Sequence, residues 1–264
     1  MRLRTLVRIA AMAVMLTLAI STPAMAITFG QLDTDNRYPQ VGALIGEVDG
    51  EKFIFCSGTL IEDGDGGWSN LYLTASHCVD DGQQMWVSFD AAVDPEEPET
   101  ATLHSGIAHA HPNFACCGAN DTFDIAIVVL DSDVTGITPA PVATAGLLNS
   151  FSKAQLRAAT FVAVGYGTVR EDKTGGFKPF FFDGQRRWAE QTIMNFNSAW
   201  LNLSMQPSTG DGGTCYGDSG GPHFLNGVVV SLTVTGDIPC RATDKTYRVD
   251  SPVSQAFLAG FVTP

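Results

Sequence analysis

The sequence predicts an all-β protein, and three observations predict it. Short apolar or alternating runs recur along the chain, turn-forming residues separate them, and little helical periodicity lies between them. The runs are VGALIGEV (41–48), KFIFCSGTLI (52–61), LYLTAS (71–76), QMWVSF (84–89) and IAIVVL (125–130) in the first half. The second half has TFVAVGYG (160–167), TIMNF (192–196), WLNLSM (200–205), GVVVSLTV (227–234) and TYRVD (246–250). Turns are written as EDGDGG (62–67), DDGQ (80–83) and DKTGG (172–176), whose Gly and Asp take the backbone angles that tight reversals need. This rhythm fits sandwiches or barrels and not a parallel α/β sheet. The clearest helix is the last element, with Ser251 as N-cap, Pro252 in the first turn and Val253, Ala256, Phe257 and Ala259-Gly260-Phe261 along one side. The stretch 131–150, rich in Pro, Thr, Ser and Gly, reads as a connection between two halves, 27–137 and 138–264.

The first 26 residues read differently. Arg2, Arg4 and Arg8 precede an uncharged apolar run from Ile9 to Ile20, then Pro23 and Ala24-Met25-Ala26. A basic head, a short apolar middle and small residues at −3 and −1 make a secretory signal cut after Ala26. A membrane anchor needs roughly 20 apolar residues and this run is shorter. The cut removes three Arg and no acid, leaving 12 Lys+Arg against 28 Asp+Glu and moving the formal charge from −13 to −16. Such an acidic chain disfavours nucleic acid and anionic membranes as partners, and the mature form is expected to be a soluble monomer. In an exported chain the six Cys can keep disulfides, with the pairing left open by the residues alone.

The chemistry concentrates in Thr214-Cys215-Tyr216-Gly217-Asp218-Ser219-Gly220-Gly221-Pro222. Glycines around a Ser let the backbone turn sharply and bring its N–H groups near a reacting carbonyl. Gly217-x-Ser219-x-Gly221 also fits the nucleophile elbow of α/β-hydrolases, which needs an acid and then a His after the Ser. The single His after Ser219 is His223, with no acid between, so that reading fails. The reverse order works. His77 follows a strand-like run and Asp124 opens another, and Ser219 comes after both. A Ser hydroxyl is a weak nucleophile until a positioned imidazole takes its proton, and a buried carboxylate then holds the imidazole's tautomer. A Ser in a Gly-rich turn, a core His and a strand-end Asp would each be ordinary; their shared order and neighbours are not.

On these motifs the chain resembles a secreted chymotrypsin/trypsin-like serine peptidase. Cys56-Ser57-Gly58-Thr59-Leu60-Ile61 is similar to the family's strand before the histidine, and Thr74-Ala75-Ser76-His77-Cys78 to its histidine motif. His111-Pro112-Asn113-Phe114, Asp124-Ile125-Ala126 and Val164-Gly165-Tyr166-Gly167-Thr168 fall where the family has like segments, and Gly217-Asp218-Ser219-Gly220-Gly221-Pro222 is its most specific signature. The resemblance implies two antiparallel β-barrels with a cleft between them. It implies that Ser219 attacks, His77 is general base and then acid, Asp124 orients His77, and the N–H groups of Gly217 and Ser219 form the oxyanion hole. No metal or organic cofactor is implied for that chemistry.

The resemblance also implies disulfides Cys56–Cys78 and Cys215–Cys240. Cys116 and Cys117, seven residues before Asp124, are left as a vicinal disulfide, two thiols or a link to another chain. His104, His109 and His111 beside them lack the paired spacing of a structural zinc site. The acidic loop 90–99 resembles in position a calcium-holding loop of some relatives, yet its two Pro and many acids read as a solvated loop. For the substrate pocket, the resemblance puts Gly213 at the floor beside Thr214, Ser231-Leu232-Thr233 on the wall, and Lys245 where Gly is usual. With no Asp at the floor, small or medium apolar side chains are expected to be preferred over Lys and Arg. Ile27-Thr28-Phe29-Gly30 resembles the family's mature N-terminus, whose α-amine would pair with Asp218 once the signal is cut. The expected function is therefore a secreted serine endopeptidase acting on protein or peptide substrates. The rivals are a catalytically silent homologue that binds protein through the same cleft, and an esterase with poor peptidase activity.

Overall fold

The structure, a computed structural model, describes residues 27–115, 120–169 and 181–262; the leader, Cys116, Cys117 and the turn at 172–176 lie outside the described residues. Fourteen strands are found among those residues. The first half contains β2 (Val41–Val48), β3 (Glu51–Ile61), β4 (Ser69–Thr74), β5 (Gln84–Ser88), β6 (His104–Ala110) and β7 (Ala126–Val134), preceded by the two-residue β1 (Gln31–Leu32). In the second half are β8 (Phe161–Gly165), β9 (Arg187–Gln191), β10 (Ile193–Phe196), β11 (Trp200–Ser204), β12 (Pro222–Leu225), β13 (Val228–Gly236) and β14 (Thr243–Arg248).

Strands β2 to β7 close into an antiparallel barrel in the order β2-β3-β4-β7-β6-β5. Strands β1-β9-β8-β12-β13-β14-β11-β10 form an open half-barrel, so β1 crosses from the start of the chain to the second sheet. Inside the closed barrel pack Leu44, Leu60, Tyr72, Val87, Val128 and Leu130. Ile45, Ile61, Leu73 and Ile127 belong instead to a cluster shared with Phe161, Leu201, Leu203, Leu232 and Tyr247 of the second half. Residues 41–46 of β2 and 56–61 of β3 are buried on both faces, which is why those runs lack clean polar alternation. Each fully buried Leu, Ile or Phe stabilises by about 1.5–3 kcal/mol, so this shared cluster fixes how the halves meet. A buried Arg186 reinforces the seam. Its Nε donates to Asp33 at 2.8 Å and its Nη1 to the carbonyls of Val41 (3.1 Å) and Phe89 (2.9 Å).

Four strands escape the sequence pattern. β6 (HSGIAHA) and β9 (RWAEQ) carry too few large apolar residues, β12 (PHFL) is hidden behind the glycine-rich signature, and β1 is too short. The C-terminal helix runs Pro252–Leu258, and Ser251 Oγ accepts from Ser254 N at 3.1 Å, the cap its sequence announces. Two short helices, Leu147–Ser150 and Lys153–Ala158, occupy the end of the connecting stretch and its continuation; the second starts with a Ser152/Gln155 capping box. No helix among the described residues is long and apolar enough to cross a membrane.

Candidate active site

Strand β4 ends at Thr74, and the chain turns through a single 3-10 turn, Ser76–Cys78. Ser76 holds that turn in place: its Oγ donates to the Ile125 carbonyl at 2.6 Å and accepts from His111 N at 3.0 Å. The next residue, His77, is thereby set against Asp124. Its ring Nδ1 lies 2.8 Å from Asp124 Oδ2 and its backbone N–H donates to Asp124 Oδ1 at 2.9 Å. Asp124 is only 2% exposed. A carboxylate accepts and does not donate, so Nδ1 carries the proton and the Nε2 lone pair is left for another group. The Cys56–Cys78 disulfide, with Cα atoms 6.2 Å apart, ties β3 to this turn. Cys56, His77 and Cys78 also form the one metal-ligand-like group among the described residues, but its two sulfurs are joined to each other and are not free thiolates.

Ser219 sits in the loop before β12, which is held by backbone contacts. Ser57 N donates to the Ser219 carbonyl at 2.8 Å, Gly220 N to Thr233 O at 2.8 Å, and Ser57 Oγ to Gly217 O at 3.0 Å. Gly220 has φ +76°, and a Cβ there would stand 2.1 Å from Thr74 Oγ1, 2.6 Å from Ser57 O and 2.8 Å from Ala75 N. The serine loop is thus pressed against the residues that lead into His77. Gly220→Ala should destabilise the protein by about 2–4 kcal/mol, through backbone strain and overpacking. An unchanged urea midpoint for that variant would contradict this close approach. Ser219 Oγ and His77 are not hydrogen-bonded to each other here. The N–H groups of Asp218, Gly220 and Gly221 donate within the protein, whereas those of Gly217 and Ser219 have no acceptor among the described residues.

Asp218 is fully buried. It accepts from Gly167 N and Cys215 N, both at 2.8 Å. Gly165 and Gly167 make room for it, since a Cβ on either would lie 2.3 or 2.4 Å from its carboxylate oxygens. Burial pushes its carboxyl up from 3.8 to about 7, against the pull of the two backbone N–H groups; Asp244 adds to the rise and Arg187 opposes it. Ile27 is fully buried nearby in sequence to the Thr28–Gly213 bridge, where Gly213 N donates to Thr28 O at 2.9 Å. With residues 1–26 attached, the Ile27 nitrogen is a peptide nitrogen and no hydrogen bond joins it to Asp218.

A cavity of about 190 Å³ opens beside Ser219. Thr214, Cys215 and Tyr216 form one wall, and residues 233–238 with Cys240 the other. The Cys215–Cys240 disulfide links the walls, with Cα atoms 5.3 Å apart. Of the expected wall Ser231-Leu232-Thr233, Thr233 lines the cavity, Ser231 is buried and accepts from Thr246 Oγ1 (2.8 Å), and Leu232 lies in the core. Residues 229–233 of β13 are buried on both faces and exposure returns only at 234–236, so the cavity wall starts at Thr233. Gly213 does not line the cavity either; a Cβ there would meet Met205 at 2.2 Å. Lys245 is also outside it, with Nζ over the Trp200 ring at 4.1 Å and donating to Asn120. On the other side of His77, a groove includes Phe53, Phe55 and Val79. His104, His109 and His111 each pack on an aromatic ring, and burial lowers the pKa of His104 and His111.

The sequence model of the family described as Trypsin matches residues 30–258. The chain belongs to the trypsin family. It is 26% identical to Kallikrein-8 of Rattus norvegicus over 206 residues, covering 74% of this chain and 72% of that protein. It is also 26% identical to Kallikrein 1-related peptidase b8 of Mus musculus over 202 residues, 70% and 71% of the two chains. The solved structure of human heparin binding protein shares the fold, with a TM-score of 0.62 at 17% identity over 88% of this chain and 94% of that one. Within this trypsin-family chain, sequence reasoning placed Thr74 in the histidine motif without its packing against the serine loop, and missed Met205 behind the cavity. A buried Met next to a Gly-rich segment carries no motif that would have marked it.

Proposed function

We propose that this trypsin-family chain is an exported serine endopeptidase. Ser219 Oγ attacks the peptide carbonyl, His77 Nε2 takes its proton, and Asp124 holds the Nδ1–H and stabilises the imidazolium that forms. The two free N–H groups of Gly217 and Ser219 receive the oxyanion. His77 then protonates the leaving amine, and water releases the acyl group by the same path. The observation that carries this reading is the double hydrogen bond between His77 and Asp124, set across from a serine loop pressed onto Thr74 and Ala75. Catalytic hydrogen bonds are often long before substrate binds, so the unmade Ser219–His77 contact agrees with it. Export rests on the leader and on two disulfides, which persist in oxidising compartments. Cleavage after Ala26 would free the Ile27 amine as the cation that Asp218 lacks.

A silent homologue is the second reading, suggested by a fold relative named for binding heparin. Affinity for a polyanion is opposed by 28 acidic against 15 basic side chains. Incubation with casein and with a small activated ester, each with and without a serine-directed acylating inhibitor, separates the readings. Inhibitor-sensitive cleavage of both is expected; ester hydrolysis alone would indicate an esterase, and neither would indicate a binding protein. On peptides, cleavage after small or medium apolar residues should exceed cleavage after Lys or Arg by at least ~100-fold in kcat/KM, the effect of ~3 kcal/mol for an unpaired buried cation. The acid in the cavity lining, Asp237, is already committed to the N–H groups of Arg241, Ala242 and Thr243. Cleavage confined to Lys and Arg sites would contradict this preference.

A further inference from the structure

Behind the cavity lies a set of polar atoms that the proposed reaction does not use. Gln191 Nε2 donates to Asp244 Oδ2 at 3.0 Å, and His223 Nε2 lies 2.9 Å from the same oxygen. All three residues are fully buried. Among the described residues, seven buried side-chain polar atoms lack a partner, and three of them belong to these residues: Asp244 Oδ1, Gln191 Oε1 and His223 Nδ1. An orphaned buried polar atom is costly, and three of them on one hydrogen-bonded set mark a place that can accept something more than a packed core.

One side chain separates that place from the cavity. A Cβ built on Gly213 would lie 2.2 Å from Met205 Cγ, 2.4 Å from its Sδ and 2.6 Å from Gln191 Nε2. A Cβ on Gly236, which lines the cavity, would lie 3.6 Å from Met205 Cε. Asp244 is the cross-strand partner of Gly236. The Met205 thioether therefore lies between Gly236 of the cavity wall on one side and, on the other, Gly213 and Gln191, whose Nε2 holds the Asp244 carboxylate. Met is unbranched, rotates about three bonds and is readily replaced by other shapes.

We propose that Met205 is the specificity-determining residue of this cavity: its thioether closes the cavity above a buried acid, Asp244, and keeps a cationic side chain out. The proposal rests on the endopeptidase reading for its consequence in catalysis but not for its consequence in binding. With Met205 shortened, the cavity reaches Asp244, whose unpartnered oxygen meets a guanidinium, amidinium or ammonium group. Parent and Met205→Ala proteins should be titrated calorimetrically with benzamidine, a planar amidinium, and assayed on peptide anilides ending in Leu or Arg. Met205→Ala is expected to bind benzamidine at least tenfold more tightly and to raise the Arg-to-Leu ratio of kcat/KM at least tenfold. Adding Asp244→Asn should return both to the parent values. Met205→Val, which keeps more of the core but lacks the atoms that reach Gly236, should show the same direction and stands in if the Ala variant does not fold. A folded variant that binds benzamidine no better than the parent, or a gain that survives Asp244→Asn, would overturn the proposal. If no protein is acylated by a serine-directed inhibitor, the endopeptidase reading fails while the benzamidine titration still decides the role of Met205.

Discussion

Replacing Ser219 by Ala is expected to reduce casein and ester hydrolysis by up to ~10⁶-fold, to the background of the assay. The size of the effect follows from the chemistry. Without the hydroxyl no acyl-enzyme forms, and the His77–Asp124 pair has no proton to take. The structure adds a second expectation, because Ser219 Oγ has no hydrogen-bond partner among the described residues and its loop is held by backbone atoms of Ser57, Gly220 and Thr233. The variant should therefore keep its stability within ~0.5 kcal/mol of the parent, as measured by urea midpoint. Activity within tenfold of the parent in a folded Ser219→Ala protein would move the nucleophile elsewhere.

A single extra residue before Ile27 is expected to leave the protein folded and nearly inactive. Asp218 then stays buried beside the nucleophile with no cation, and the Gly217 and Ser219 N–H groups are not fixed by an ion pair. The same variant should show a distinctive pH dependence. Its Asp218 titrates near pH 7 when folded and near 3.8 when unfolded, so between these values the folded state binds more protons. Stability contributed by this group is therefore lost as pH rises from 3.8 to about 7, amounting to about 4 kcal/mol over that window. In the protein that begins at Ile27, the α-amine (~7.7–8.0 when unfolded) is raised by its partner, so the pair's stabilisation is complete below that value and disappears as pH climbs through the folded one. Urea midpoints of both proteins from pH 4 to pH 9, subtracted from one another, isolate the effect from the other titrating groups. Full activity in the extended protein, or a difference that does not change with pH, would sink the ion-pair account of activation.

The residue types and their order carried much of this protein. His77, Asp124 and Ser219 stand in an order that excludes the α/β-hydrolase elbow, and ten of the strands announce themselves as apolar runs closed by turns. Ser251 and Pro252 mark the C-terminal helix by local hydrogen bonding alone. These are short-range facts: alternation, caps and turn chemistry depend on neighbours in the chain. The sequence could not say that β6 and β9 are strands, because His, Gly, Arg and Glu there are carried by pairing to more apolar partners. Nor could it place the cavity wall. In GVVVSLTV residues 229–233 are buried on both faces although Ser231 and Thr233 are polar, so nothing local distinguishes Ser231 and Leu232 from residues 233–236 that reach the cavity. The fit of Gly220 against Thr74, of Gly165 and Gly167 around Asp218, and of Met205 against Gly213 joins positions up to 146 residues apart. Such contacts are set by how two sheets pack at atomic distance, where a single methyl group decides what fits, and only the tertiary structure holds that information.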